Sequence, residues 1–296
     1  MSGNFSRRNF LKTAAITASA ALLYECGQKP SGESPSPKDA LHLGVMTYTL
    51  ARDWDIETII KNLTETNFEC VELRTTHTHG VEVDLTSAQR AEVKKRFEDS
   101  PIRLSGLASG FYYHSPDPDE LRKNIEDTKE YVKLAQDVGA VGIRVFPNML
   151  LEDKGIPKEK TIAQIGRSLR EVGEFAEDYN VKIKLCAHGR GTSNIPVIKS
   201  IMDAADHDNV VVNWNCNPSD LEDGGFDENF EMIKDKIFSL HMHELSNIEY
   251  PYRKLFKKLL ENGFNGDCFA EIDASREPIR LMNYYRALFL AYQDLV

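Results

Sequence analysis

Between Leu41 and Val296 eight short apolar runs alternate with eight amphipathic stretches, and no other feature restricts the fold as much. The runs are Leu41 to Tyr48, Cys70 to Arg74, Arg103 to Ala108, Val141 to Phe146, Val181 to Ala187, Val210 to Asn215, Ile237 to His243 and Cys268 to Ile272. Most are continuously β-branched or apolar, as strands of a parallel sheet covered on both faces must be. Strands alternating with crossover helices build either an open doubly wound sheet or a closed barrel. Eight units favour closure, and the turn from Thr47 to Arg52 lacks the glycines that an open dinucleotide-binding sheet places after its first strand. The expectation is a single-domain α/β protein, a (β/α)8 TIM barrel over residues 41–296.

Helix boundaries can also be read. Asp117-Pro118-Asp119-Glu120 offers an N-cap, a proline at the first helical position and a capping-box glutamate, and Gly139 closes the same helix. Asn180 and Asn265-Gly266 read as stops before the fifth and eighth strands.

With 36 basic against 46 acidic residues the formal charge is −10, which repels phosphate backbones and argues against a nucleic-acid partner. No apolar run reaches the ~18 residues of a membrane-spanning helix. Residues 1–26 differ from the rest: Ser6-Arg7-Arg8-Asn9-Phe10-Leu11-Lys12 precedes a weakly hydrophobic run and resembles a twin-arginine export signal. A Pro/Ser/Gly-rich stretch over residues 27–40 reads as a flexible linker. The signal implies export, to the periplasm or to a membrane-tethered state. Cys26 is a candidate lipid anchor, although Tyr24 and Glu25 depart from the small residues such processing sites prefer. Cys70, Cys186, Cys216 and Cys268 lie in or beside predicted strands without Cys-x-x-Cys spacing, the pattern of small buried hydrophobes rather than of disulfides.

In barrels of this kind the loops after the strands build the site. Five strand ends are polar: Val71-Glu72-Leu73-Arg74, Cys186-Ala187-His188-Gly189-Arg190-Gly191, Asn213-Trp214-Asn215-Cys216-Asn217-Pro218-Ser219-Asp220, His241-Met242-His243-Glu244 and Ala270-Glu271-Ile272-Asp273.

This order of strand-end motifs is similar to the xylose isomerase-like TIM-barrel superfamily, in particular its sugar-phosphate isomerases, ketose epimerases and inosose-type dehydratases. The resemblance runs from Gly44 to the last helix and rests on the His-Gly turn at strand five, His241-Met242-His243 at strand seven and Glu271 at strand eight. It implies a divalent metal held at positions that here read Cys186, Asn215, His243 and Glu271. Two of these depart from the family pattern, a thiol and an amide standing where carboxylates are expected. Mg²⁺ or Mn²⁺ prefers anionic oxygens, so the surviving set, with His188 nearby, suits a softer ion such as Zn²⁺ or Fe²⁺, or a metal-free polar cavity.

The resemblance further implies proton transfer beside a carbonyl of a carbohydrate or polyol, an isomerase or epimerase reaction, with a lyase of the same superfamily as a variant. Glu271 is the expected acid/base, and Cys186 is a second one if His188 or a metal activates its thiol. His188, Arg190, Asp220, His241, Arg253, Glu72 and Trp214 are candidate substrate contacts. Arg190 and Arg253 leave open a phosphorylated substrate. Glu72 with Arg74, and Arg144, read equally as internal pairs. Trp54, Phe111, Tyr112, Tyr113 and Trp214 are candidates for an apolar wall against which sugar C–H faces stack. The alternative is a non-catalytic carbohydrate-binding protein of the same fold; a homo-oligomer is compatible with either.

Overall fold

The computed structural model describes residues 41–295, so the twin-arginine-type segment, the linker and Cys26 lie outside the described residues. Eight parallel strands close into a barrel: β1 (His42–Met46), β2 (Cys70–Arg74), β3 (Arg103–Tyr112), β4 (Gly142–Phe146), β5 (Lys182–Cys186), β6 (Val210–Trp214), β7 (Ile237–Met242) and β8 (Asp267–Ala270). They follow one another around the ring in chain order, and β8 closes it by pairing His42 with Asp267. Eight helices cover the outside: α1 (Ile56–Glu65), α2 (Ser87–Glu98), α3 (Pro118–Val138), α4 (Lys158–Glu177), α5 (Ile195–Ala205), α6 (Gly225–Ile233), α7 (Tyr252–Glu261) and α8 (Pro278–Ala291). Among the described residues no helix is long and apolar enough to cross a membrane.

The boundaries show how local signals yield to packing. Asp117 caps α3 through Asp119 N–H at 2.9 Å, and Gly139 ends it with φ of 83°. The expected capping box does not form, because Glu120 turns instead to the hydroxyls of Tyr112 and Ser115. Asn180 takes the left-handed conformation ahead of β5, whereas Gly263, not Asn265-Gly266, is the left-handed stop after α7. Strand β8 starts one residue before the apolar run, at Asp267, whose carboxylate takes the Arg103 guanidinium at 2.6 Å. A two-stranded pair that sequence patterning did not suggest, Asn148–Met149 with Gly189–Arg190, ties the loops after β4 and β5 together.

Strand residues alternate between two environments. Outward side chains such as Val71, Leu73, Val145, Leu185 and Leu240 are buried under the helices. Inward, Met46, Cys70, Ala108 and Phe269 form a small separate apolar cluster. Cys70, Cys186, Cys216 and Cys268 are all free and buried.

Candidate active site

The two-residue strand period sends Glu72 and Arg74 of β2, Arg144 of β4, Lys184 and Cys186 of β5, Asn213 and Asn215 of β6 and its continuation, and His241 and His243 of β7 and its continuation toward the lumen. Glu271 follows β8 and extends its ladder, its N–H donating to the Met242 carbonyl at 2.8 Å. His243 is fixed by its backbone: its N–H donates to the Tyr252 hydroxyl at 3.1 Å, and the Tyr285 hydroxyl donates to its carbonyl at 2.9 Å.

A chain of ionisable groups crosses the lumen. The Lys184 ammonium pairs with Glu72 Oε1, and His241 Nε2 donates to Glu72 Oε2 at 2.6 Å. His241 Nδ1 lies 3.5 Å from Glu271 Oε2, within ion-pair range but without a hydrogen bond. Lys184, Glu72 and His241 are essentially inaccessible, while the Glu271 side chain keeps 16% exposure. Room for this chain comes from two glycines. A Cβ on Gly106 would stand 2.7 Å from Lys184 Nζ, and one on Gly142 would stand 3.1 Å from the lysine stem.

Burial alone would neutralise such groups, so the ion pairs must outweigh desolvation. For Glu72 burial is opposed by Lys184, His241 and Arg144, which together hold its carboxyl well below the usual range. Burial also disfavours a charged His241, but Glu72, Cys186 and Glu271 around it raise its imidazole to about 9. The interior is therefore an ammonium, a carboxylate and an imidazolium in sequence, ending at the partly exposed Glu271 carboxylate.

Beside it Cys186 is fully buried, its thiol donating to Asn215 Oδ1 at 3.4 Å and accepting from Asn213 Nδ2 at 3.5 Å. Asn215 in turn donates to Asn217 at 2.9 Å. His188 does not hydrogen-bond Cys186. It lies exposed at the rim, its ring 5.0 Å from that of Phe146, and the surrounding protein, with Arg144, pulls its imidazole below the usual range.

Several residues expected to contact substrate are committed elsewhere. Trp214 alternates with Asn213 and Asn215, so it points outward; it is fully buried against Phe226 and Phe230, with its indole N–H on the Tyr250 hydroxyl at 2.7 Å. Tyr113 is likewise fully buried, bonded to Thr128. Asp220 is buried and clamps the loop after β6, accepting from Asn217 N–H at 2.9 Å and from Tyr250 at 2.6 Å. Arg190 pairs with Asp153 at 2.7 Å on the rim. Arg253 stacks on Tyr292 at 4.8 Å and approaches Asp294 at 3.6 Å, in the helical layer. The expected Glu72–Arg74 pair is absent because Glu72 turns to Lys184 and His241, leaving Arg74 on Thr75.

Lys184 was missed by sequence reasoning, although its two-residue spacing from Cys186 on one strand signals a shared inward face. Tyr250, which links Trp214 to Asp220, carried no comparable signal.

Two of the four strand-end donors, Cys186 and Asn215, lack the anionic oxygen that Mg²⁺ or Mn²⁺ prefers. Among the described residues no three His, Cys, Asp or Glu side chains stand where they could hold a metal together. Cys186 and Asn215 bond one another, and Glu271 faces the His241 imidazolium.

Solved structures with the same fold include an L-ribulose 3-epimerase, with a TM-score of 0.72 at 15% identity over 86% of this chain and 95% of that one. A D-psicose 3-epimerase from Clostridium cellulolyticum H10, solved with D-tagatose, gives 0.70 at 16% identity over 86% and 99%. The IOLI protein, solved with a zinc atom, gives 0.65 at 16% identity over 86% and 98%. A search of curated protein sequences finds no match. The model of the xylose isomerase-like TIM barrel family matches residues 60–287, more than three quarters of the sequence, and the chain belongs to that family.

Proposed function

We propose that this protein is a sugar isomerase or epimerase acting on a carbohydrate or polyol by proton transfer beside a carbonyl, with Glu271 as the acid/base. The observation that carries the reading is the placement of Glu271: it is partly exposed at the strand ends and backed by His241, itself fixed by Glu72 and Lys184. A carboxylate there can accept a proton from a carbon acid, and His243 and His188 would orient hydroxyl or carbonyl oxygens. Cys186 and Asn215 serve here as a fixed wall. Fold similarity to sugar epimerases supports the substrate class. The Arg7-Arg8 segment and the linker after it support action after export, in the periplasm or at a membrane surface.

The reading is tested by incubating the protein with a panel of ketoses, aldoses and their acids in D₂O and following deuterium incorporation by NMR. Exchange beside the carbonyl that disappears in Glu271→Gln is the expected result. Binding without exchange in the wild-type protein favours the non-catalytic carbohydrate-binding alternative.

A further inference from the structure

Arg190 and Arg253, the arginines expected to receive an anionic substrate group, are occupied by protein partners. Two others are not. Arg74, Ala108 and Arg144 are register partners on β2, β3 and β4, so their side chains leave the same, inward face of the sheet. The small Ala108 stands between them on the same face.

Arg144 is only 3% exposed. Its Nη2 donates to the Ser109 carbonyl at 2.8 Å and its guanidinium lies 4.1 Å over the Phe146 ring, while its Nε is buried without a hydrogen-bond partner among the described residues. Arg74 directs Nη1 to the Thr75 carbonyl at 3.0 Å and to the Thr75 hydroxyl. Neither guanidinium meets a carboxylate among the described residues. Buried cations are ordinarily paired, and two side by side destabilise one another. Burial and then the nearness of Arg144 hold the Arg74 guanidinium below its usual range. Near the mouth the lumen thus sets Arg74, Arg144 and Lys184 against Glu72 and Glu271, inside a chain with a net charge of −10.

We propose that Arg144, with Arg74 beside it, binds a carboxylate or phosphate group carried by the substrate. The inference rests on the isomerase reading above and names its substrate class: an anionic sugar, either a sugar acid or a sugar phosphate. The unpaired Nε of Arg144 leaves one guanidinium N–H to donate to an oxygen of such an anion, a charge-assisted contact. In the ring order β4 lies diametrically across from β8. An anion held on β4 therefore directs the rest of the sugar across the mouth toward Glu271, past the wall made by Phe146 and His188.

The test titrates the full-length protein by calorimetry with D-glucuronate, D-glucose 6-phosphate, inorganic phosphate and D-glucose. The expected result is at least about tenfold tighter binding of a charged sugar than of glucose, weakening with added salt. Arg144→Met and Arg74→Met should each reduce that preference, and Arg144→Lys should retain part of it. The glucuronate and glucose 6-phosphate arms tell a carboxylate site from a phosphate site. Equal affinity for charged and neutral sugars, no saturable binding of any anion, or a preference intact in both methionine variants overturns the proposal. Anion binding that depends on Arg144, without Glu271-dependent exchange on any sugar, retains this site and discards the isomerase reading. Exchange on neutral sugars alone does the reverse.

Discussion

Lys184→Met isolates the energetics of the lumen. The ammonium and Glu72 are at 1% and 0% exposure, so removing the lysine leaves a carboxylate that water cannot reach. Breaking a buried pair in this way costs about 3–5 kcal/mol. His241 still donates to Glu72 at 2.6 Å, which places the expected cost near the lower figure, about 3 kcal/mol. At roughly 2–4 °C per kcal/mol for a domain of this size, Tm should fall by roughly 6–12 °C. The double variant Glu72→Gln/Lys184→Met removes both charges and keeps an oxygen for His241 to donate to, so it should recover most of the loss. Thermal melts by circular dichroism, with urea denaturation to check that the transition stays two-state, measure both. A fall of less than about 2 °C for the single variant, or a double variant no more stable than the single, refutes the reasoning.

Two further outcomes are expected. Burial raises the Asp220 carboxyl to about 7 despite its hydrogen bonds from Tyr250 and Asn217. A folded-state pKa above the unfolded value contributes stability that is complete below about 4 and is lost as pH rises through about 7. Asp220→Asn should therefore stabilise the protein at pH 8, with the gain shrinking as pH falls toward 4; a gain that is the same at every pH counts against it. Installing carboxylates with Cys186→Glu and Asn215→Asp should raise Mn²⁺ affinity by at least about tenfold in calorimetry. Wild-type protein that retains stoichiometric metal after chelation and dialysis, and loses it on mutating His243 and Glu271, contradicts the donor-set argument.

The barrel was legible because a parallel sheet buried on both faces writes its strands as unbroken apolar runs, and eight of them leave little choice of closure. That the ends of β7 and β8 adjoin was legible for the same reason: chain order fixes which strand ends are neighbours, and β7 pairs with β8. Direction was harder to read. Trp214 between two inward asparagines had to face the helices by strand parity, yet an aromatic at a strand end invites a ligand role. The partners of Arg190 and Arg253, Asp153 and Asp294, come from distant segments, and no local pattern announces such contacts. Lys184 was hidden by its own type, since a lysine within an apolar run suggests a solvent-facing edge until a glycine-lined lumen and a buried glutamate are seen to receive it.

The ammonium–carboxylate–imidazolium chain that closes the lumen below Glu271 has a stereochemical consequence. If Glu271 is the acid/base proposed above, a proton that it removes and returns goes back to the same side of the substrate. Carrying that proton between neighbouring carbons interconverts an aldose and a ketose. Inverting a stereocentre requires a donor on the far side, where β4, β5 and the end of β6 present arginine, thiol and amide rather than a second carboxylate. On the proposal that Glu271 is the acid/base, this arrangement points to suprafacial hydrogen migration, with inversion left to the Cys186 thiol as the far-side donor.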